Sequence, residues 1–161
     1  MKVGIVMGSK SDYPVVERAE RILDTFRVEY ETKIISAHRT PSVAEEFAGG
    51  AEKNGVEVII AAAGKAAHLA GILAAYTPLP VIGLPIKSST LDGLDSLLSI
   101  VQMPKGVPVA TVAIDGAENA ALLAIQILSL RYDELREAMR IYKESMEREV
   151  MRLDAEFQKS H

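Results

Sequence analysis

The chain has 161 residues, 48% of them hydrophobic with three Phe and no Trp, enough for one domain with an aliphatic core of Val, Ile, Leu and Ala. It has no cysteine, which excludes disulfides and thiolate metal sites and suits a cytoplasmic protein. The net charge is −4 with no basic stripe, and no apolar run reaches the roughly 18 residues of a membrane span, so neither nucleic acid nor membrane is an expected partner.

The chain enters a strand-like run at once, so no signal peptide is expected. Lys2 to Met7 is continuously apolar in its middle, the pattern of a strand buried on both faces. Gly8-Ser9-Lys10-Ser11-Asp12 follows, and Pro14 opens a helix with Ser11 or Asp12 as its cap. Val15, Val16, Ala19, Ile22, Leu23 and Phe26 mark the inner face of that helix. Tyr30 to Ile35 reads as the second strand. It leads into Ser36-Ala37-His38-Arg39-Thr40-Pro41, where Thr40 can cap a helix over Pro41 to Asn54 and Gly55 can end it.

Glu57 to Ala63 is the third strand, followed by Gly64-Lys65-Ala66-Ala67-His68-Leu69 and a short helix to Tyr76. Pro78 and Pro80 break that helix before a fourth strand over Val81 to Leu84. Leu91, Leu94, Leu97, Leu98 and Val101 give the next helix, with its apolar side expected in the core. Val107 to Ile114 is the fifth strand. Asp115 with Glu118 resembles a capping box for a helix over about Ala117 to Ser129. Five strands alternating with helices predict an α/β fold: a three-layer, doubly wound parallel sheet, flavodoxin-like, in the order 2-1-3-4-5.

The last stretch differs. Leu135, Met139, Tyr142, Met146, Val150, Leu153 and Phe157 form one apolar stripe between charges of both signs. A helix from Tyr132 to Gln158 would be about 40 Å long, against a radius of gyration of about 14 Å for the remainder. The expected organisation is therefore a catalytic domain over 1–131 and a helical extension over 132–161. That extension packs on a neighbouring subunit in preference to its own core.

Loops at the carboxyl edge of an open α/β sheet are where ligands bind. His38 and Arg39 place a proton-transfer group beside a fixed cation on such a loop. Gly8, Ser9 and Ser11 have a phosphate-binding build, because backbone, hydroxyls and the free N–H groups of a helix start converge there. Asp12 is either a helix cap or an acceptor for ribose hydroxyls. Lys65 could attract a substrate carboxylate or be an ordinary solvated lysine. His68, in an apolar stretch, reads as a structural hydrogen-bonding residue. Dinucleotide and phosphate-loop fingerprints are absent, as are metal-ligand spacings.

Four segments occur together and in order: Gly8 to Asp12, Ser36 to Pro41, the His68 loop, and Asp95-Ser96-Leu97-Leu98-Ser99-Ile100-Val101-Gln102-Met103-Pro104. Together they resemble the class I 5-(carboxyamino)imidazole ribonucleotide mutases of de novo purine synthesis, over about Lys2 to Leu130. Members of that family move a carboxylate from the exocyclic nitrogen of aminoimidazole ribonucleotide to ring carbon 4. The resemblance implies an isomerase with no metal and no organic cofactor, assembled as a homo-octamer. It implies His38 as the acid/base, and Ser9, Ser11 and Arg39 as phosphate ligands. Asp12 corresponds to the ribose ligand, and Ser36, Gly64, Lys65 and Leu69 complete the expected binding set.

A related branch carboxylates the ribonucleotide directly with carbon dioxide. It typically has Lys after the equivalent His, and Ser-Asn where Ala67-His68 stands here. Arg39, Ala67 and His68 favour the mutase branch. Two departures remain: Ala70 replaces the usual proline, and Lys65 stands where glycine is common. A nucleotide-binding regulatory module on the same fold is the alternative from another class.

Overall fold

The computed structural model describes residues 1–160. Five strands run in chain order as β1 (Lys2–Met7), β2 (Glu29–Ile34), β3 (Val58–Gly64), β4 (Val81–Ile86) and β5 (Ala110–Thr111). The α-helices among the described residues are α1 (Tyr13–Thr25), α2 (Pro41–Gly50), α3 (Leu69–Tyr76), α4 (Leu94–Val101), α5 (Ala117–Leu128) and α6 (Asp133–Ser160). Every pairing is parallel, in the expected order β2-β1-β3-β4-β5.

Side chains alternate across a strand, so a continuously apolar strand feeds two cores. On one face Val3, Ile5, Val58 and Ile60 pack against Val16 and Leu23 of α1 and Ile125 of α5. On the other, Val6, Ile59 and Ala61 meet Phe47 of α2, Leu73 of α3 and Ile100 of α4. Gly83 of β4 allows that approach, because a methyl group there would overlap Ile100.

Several local expectations change. The strand expected over 107–114 is a two-residue ladder, because β5 is an edge strand whose Pro108 cannot donate. Pairing continues irregularly beyond it through Val112 N–H to Gly83 O, 3.1 Å. α2 ends at Gly50, and Val56 N–H closes the following turns onto Ala51 O at 3.0 Å while Gly55 takes φ +78°. Thr40 sits at the N-cap of α2 without capping it, since its hydroxyl bonds back to Ser36. Asp115 makes no capping box either. Its backbone has φ +55° and its carboxylate accepts from Lys87 N–H at 2.8 Å.

α4 was expected to bury its leucines. Instead Ser96 and Ile100 face inward, and Leu94, Leu98 and Val101 are exposed. α6, 28 residues and about 42 Å long, begins in the core: Leu135 and Met139 are buried, and the Tyr142 ring lies 5.5 Å from Phe26. Farther along the same stripe, Met146 (46%), Val150 (66%), Leu153 (51%) and Phe157 (56%) are exposed, so the helix overhangs its own domain.

Candidate active site

The carboxyl ends of β1, β2, β3 and β4 open into one cleft of about 560 Å³. Ser9, Ser11, Asp12, Ser36, His38, Arg39, Gly64, Lys65 and Leu69 all line it, so the structure brings the whole sequence-derived set together.

The loop after β1 is preorganised by its own side chains. Ser9 is the N-cap of a short turn over Lys10–Asp12, and its Oγ accepts from Ser11 N–H at 3.3 Å. Asp12 Oδ2 accepts from Ser9 N–H at 3.1 Å, which closes a capping box. Asp12 therefore holds the loop rather than capping α1, which carries no side-chain cap. Ser11 Oγ lies 2.8 Å from Ser9 Oγ and 3.3 Å from Asp12 Oδ1. Burial pushes the Asp12 carboxyl up from its ordinary 3.8, against the hydrogen bonds from Ser9 and Ser11 that pull it down.

The loop after β2 leans on the first. Arg39 Nε donates to Ser36 Oγ at 3.3 Å, and its Nη2 donates to Gly8 O at 3.4 Å. The guanidinium is thus held beside Ser9 and Ser11, and it makes no ion pair with a carboxylate among the described residues. Two serine hydroxyls beside one guanidinium form a cradle for a tetrahedral dianion.

His38, next to Arg39 on this loop, is exposed, with Nε2 at 2.8 Å from Nδ1 of His68. The two rings meet edge to face, centroids 4.9 Å apart. His68 is exposed rather than embedded in an apolar surround, because it precedes α3 instead of lying within it. Its partnership with His38 spans 30 residues, and no local pattern announces it.

The sequence reading also missed the loop after β4. Ile86, Lys87, Ser88 and Ser89 line the cleft, with Ser88 Oγ donating to Asp95 Oδ1 at 2.7 Å. The rule that singled out the other three loops, carboxyl ends of adjacent strands, would have found it. Among the described residues there is no cluster of His, Cys, Asp and Glu able to hold a metal. None of their helices is long and apolar enough to cross a membrane.

Residues 2–149 match the AIR carboxylase family. The chain belongs to that family. It is 63% identical over 147 residues to the N5-carboxyaminoimidazole ribonucleotide mutase of Pyrococcus abyssi, covering 91% of this chain and 84% of that protein. It is 59% identical over 150 residues to the mutase of the same name from Thermotoga maritima, covering 93% of this chain and 88% of that protein. The crystal structure of Treponema denticola PurE superposes with a TM-score of 0.87 at 31% identity, over 96% of this chain and 97% of that one. The doubly wound parallel sheet expected from the alternation of strands and helices is the fold observed.

Proposed function

We propose that this chain is an isomerase of purine biosynthesis that converts 5-(carboxyamino)imidazole ribonucleotide to 4-carboxy-5-aminoimidazole ribonucleotide. The observation that carries the reading is the His38–His68 contact beside the Arg39–Ser9–Ser11 cradle, in one cleft of a chain so similar to two named mutases.

In this reading the cradle takes the 5′-phosphate, Asp12 accepts hydrogen bonds from the ribose, and Ser36 steadies Arg39. Gly64 and Leu69 bound the heterocycle, with Lys65 at its edge. The carbamate C–N bond breaks, its electron pair stays on nitrogen, and His38 protonates that nitrogen. Carbon 4 then attacks the released carbon dioxide, and His38 takes the carbon 4 proton. The buried side chains of Leu69 and Ile86 give the cleft an apolar floor that suits a neutral, weakly hydrated molecule.

The imidazole pair suits this double task. A single N–H lies between His38 Nε2 and His68 Nδ1, so the neutral rings take matched tautomers. If His38 donates, its Nδ1 is an acceptor and can serve as a base. With a second proton at Nδ1, the His38 imidazolium still donates from Nε2 to His68 and can serve as the acid, and giving that proton up returns it to the neutral base form.

The site needs no metal or organic cofactor for these steps, and the chain without cysteines suits the cytoplasm. The exposed stripe of α6 and the exposed Leu94, Leu98 and Val101 of α4 support a homo-oligomer. Of the extension over 132–161, the described residues 132–160 reach a neighbouring subunit in that assembly while His161 lies outside the described residues, and the family resemblance points to an octamer. Direct carboxylation is the second reading. His68, which contacts His38, stands where that branch typically has Asn, and this favours the mutase. Mixing the protein with the carboxyamino nucleotide under carbon dioxide-free conditions tests the choice. Isomerisation is expected, whereas turnover only of aminoimidazole ribonucleotide plus carbon dioxide would assign the other branch.

A further inference from the structure

Three cations line the cleft: Arg39, Lys65 and Lys87. Lys87 is already neutralised, its Nζ lying 2.8 Å from Asp92 Oδ1. Arg39 and Lys65 have no carboxylate partner among the described residues. The proposed substrate and product each carry two anionic groups, a phosphate and a carboxylate. Arg39, held against Gly8 beside the serines, matches the phosphate.

Lys65 is on the other side of the site. The sheet order places β1 between β2 and β3, so the cradle sits on the β1 and β2 loops and Lys65 on the β3 loop. It follows Gly64 and precedes by three residues His68, the partner of His38. A nucleotide with its phosphate in the cradle and its ring at His38 brings its exocyclic substituents to this loop.

The backbone gives a second, independent observation. Lys65 has φ +56°, in the left-handed region where glycine meets no steric penalty and lysine does. The next turn, centred on Ala66, is closed by Ala67 N–H donating to Lys65 O at 2.8 Å.

We infer that Lys65 is a specificity residue whose ammonium holds the carboxylate of the bound nucleotide before and after transfer. This rests on the mutase reading above. An ammonium attracts the carbamate and the 4-carboxylate, both anionic, but not the neutral carbon dioxide between them. It therefore stabilises the two ground states more than the intermediate. Interactions of that kind lower KM without raising kcat.

The test uses 4-carboxy-5-aminoimidazole ribonucleotide and its decarboxylated form, aminoimidazole ribonucleotide, as paired probes. Binding is measured by calorimetry in a His38→Asn background, so that the bound nucleotide does not turn over. Lys65→Gln and Lys65→Gly should each weaken the carboxylated probe about tenfold, the worth of one charge-assisted hydrogen bond. They should leave the decarboxylated probe within about twofold, and Lys65→Arg should retain the discrimination. With His38 restored, Lys65→Gln should raise KM by a similar factor with kcat unchanged or higher. Equal weakening of both probes, no change in either, or a fall in kcat at constant KM would overturn the inference. Absence of isomerisation by the unmodified chain would instead remove the mutase reading, while preferential binding of the carboxylated probe would still stand.

Discussion

His38 Nε2 lies 2.8 Å from Nδ1 of His68, and this contact joins the loop after β2 to the start of α3. In the proposed mechanism His68 is thereby a positioning residue for the imidazole that moves the protons. Misplacing a reacting group by about 1 Å can cost up to about 100-fold in rate. His68→Ala should lower kcat by up to that factor, with the affinity for the phosphate-bearing nucleotide changed little. Turnover kinetics paired with calorimetry check this. A loss of affinity with kcat preserved would show that His68 binds substrate instead of orienting His38.

The Asp12 carboxylate holds the Ser9 loop and, in the proposed mechanism, also faces the ribose. Burial raises its carboxyl above 3.8 in the folded chain, so folding favours the protonated form. The destabilisation is fully present above the folded-state value and fades as pH falls toward 3.8. Asp12→Asn removes the charge and keeps an acceptor for Ser9 N–H. It should raise the melting temperature of the ligand-free protein at pH 7, by a margin that shrinks toward pH 4, and should weaken nucleotide binding. Thermal unfolding at the two pH values checks the sign, and an equal gain at both would remove burial of the charge as the cause.

The two halves of α6 separate in their roles. Leu135 and Met139 close the core, whereas Met146, Val150, Leu153 and Phe157 lie on the overhang. Truncation after Ser145 should leave the domain folded and lower its mass in light scattering. Truncation after Arg131 should uncover Leu128 and Phe26 and cause aggregation. A chain ending at Ser145 that keeps the full-length assembly would place the subunit contacts elsewhere, with the exposed Leu94 and Leu98 of α4 as the next surface to test.

What the sequence made legible follows from the range of each signal. β1 and β3 were plain because strands buried on both faces are continuously apolar, Gly8–Asp12 was plain because it ends β1, and Ser36–Pro41 was plain because Pro41 opens the following helix. Asp115 was misread because its partner, Lys87 N–H, lies 28 residues away and outcompetes a local cap. The α4 periodicity identified an amphipathic helix, but a pattern along one chain carries no information on which face the same chain covers. His68 was undervalued for a similar reason: its neighbours in sequence are Ala67 and Leu69, while its neighbour in space is His38.

The turnover of His38→Asn tests most directly whether His38 carries the protons. Asparagine keeps hydrogen-bonding capacity but cannot exchange a proton near neutral pH. The measurement is the rate of isomerisation of 5-(carboxyamino)imidazole ribonucleotide, for the unmodified chain and the variant, at saturation established by calorimetry. The unmodified chain should turn over, and the variant should bind the nucleotide nearly as well yet lose at least the roughly 100- to 10,000-fold that a general acid/base supplies. Near-normal turnover by the variant would contradict the assignment of His38 as the proton carrier.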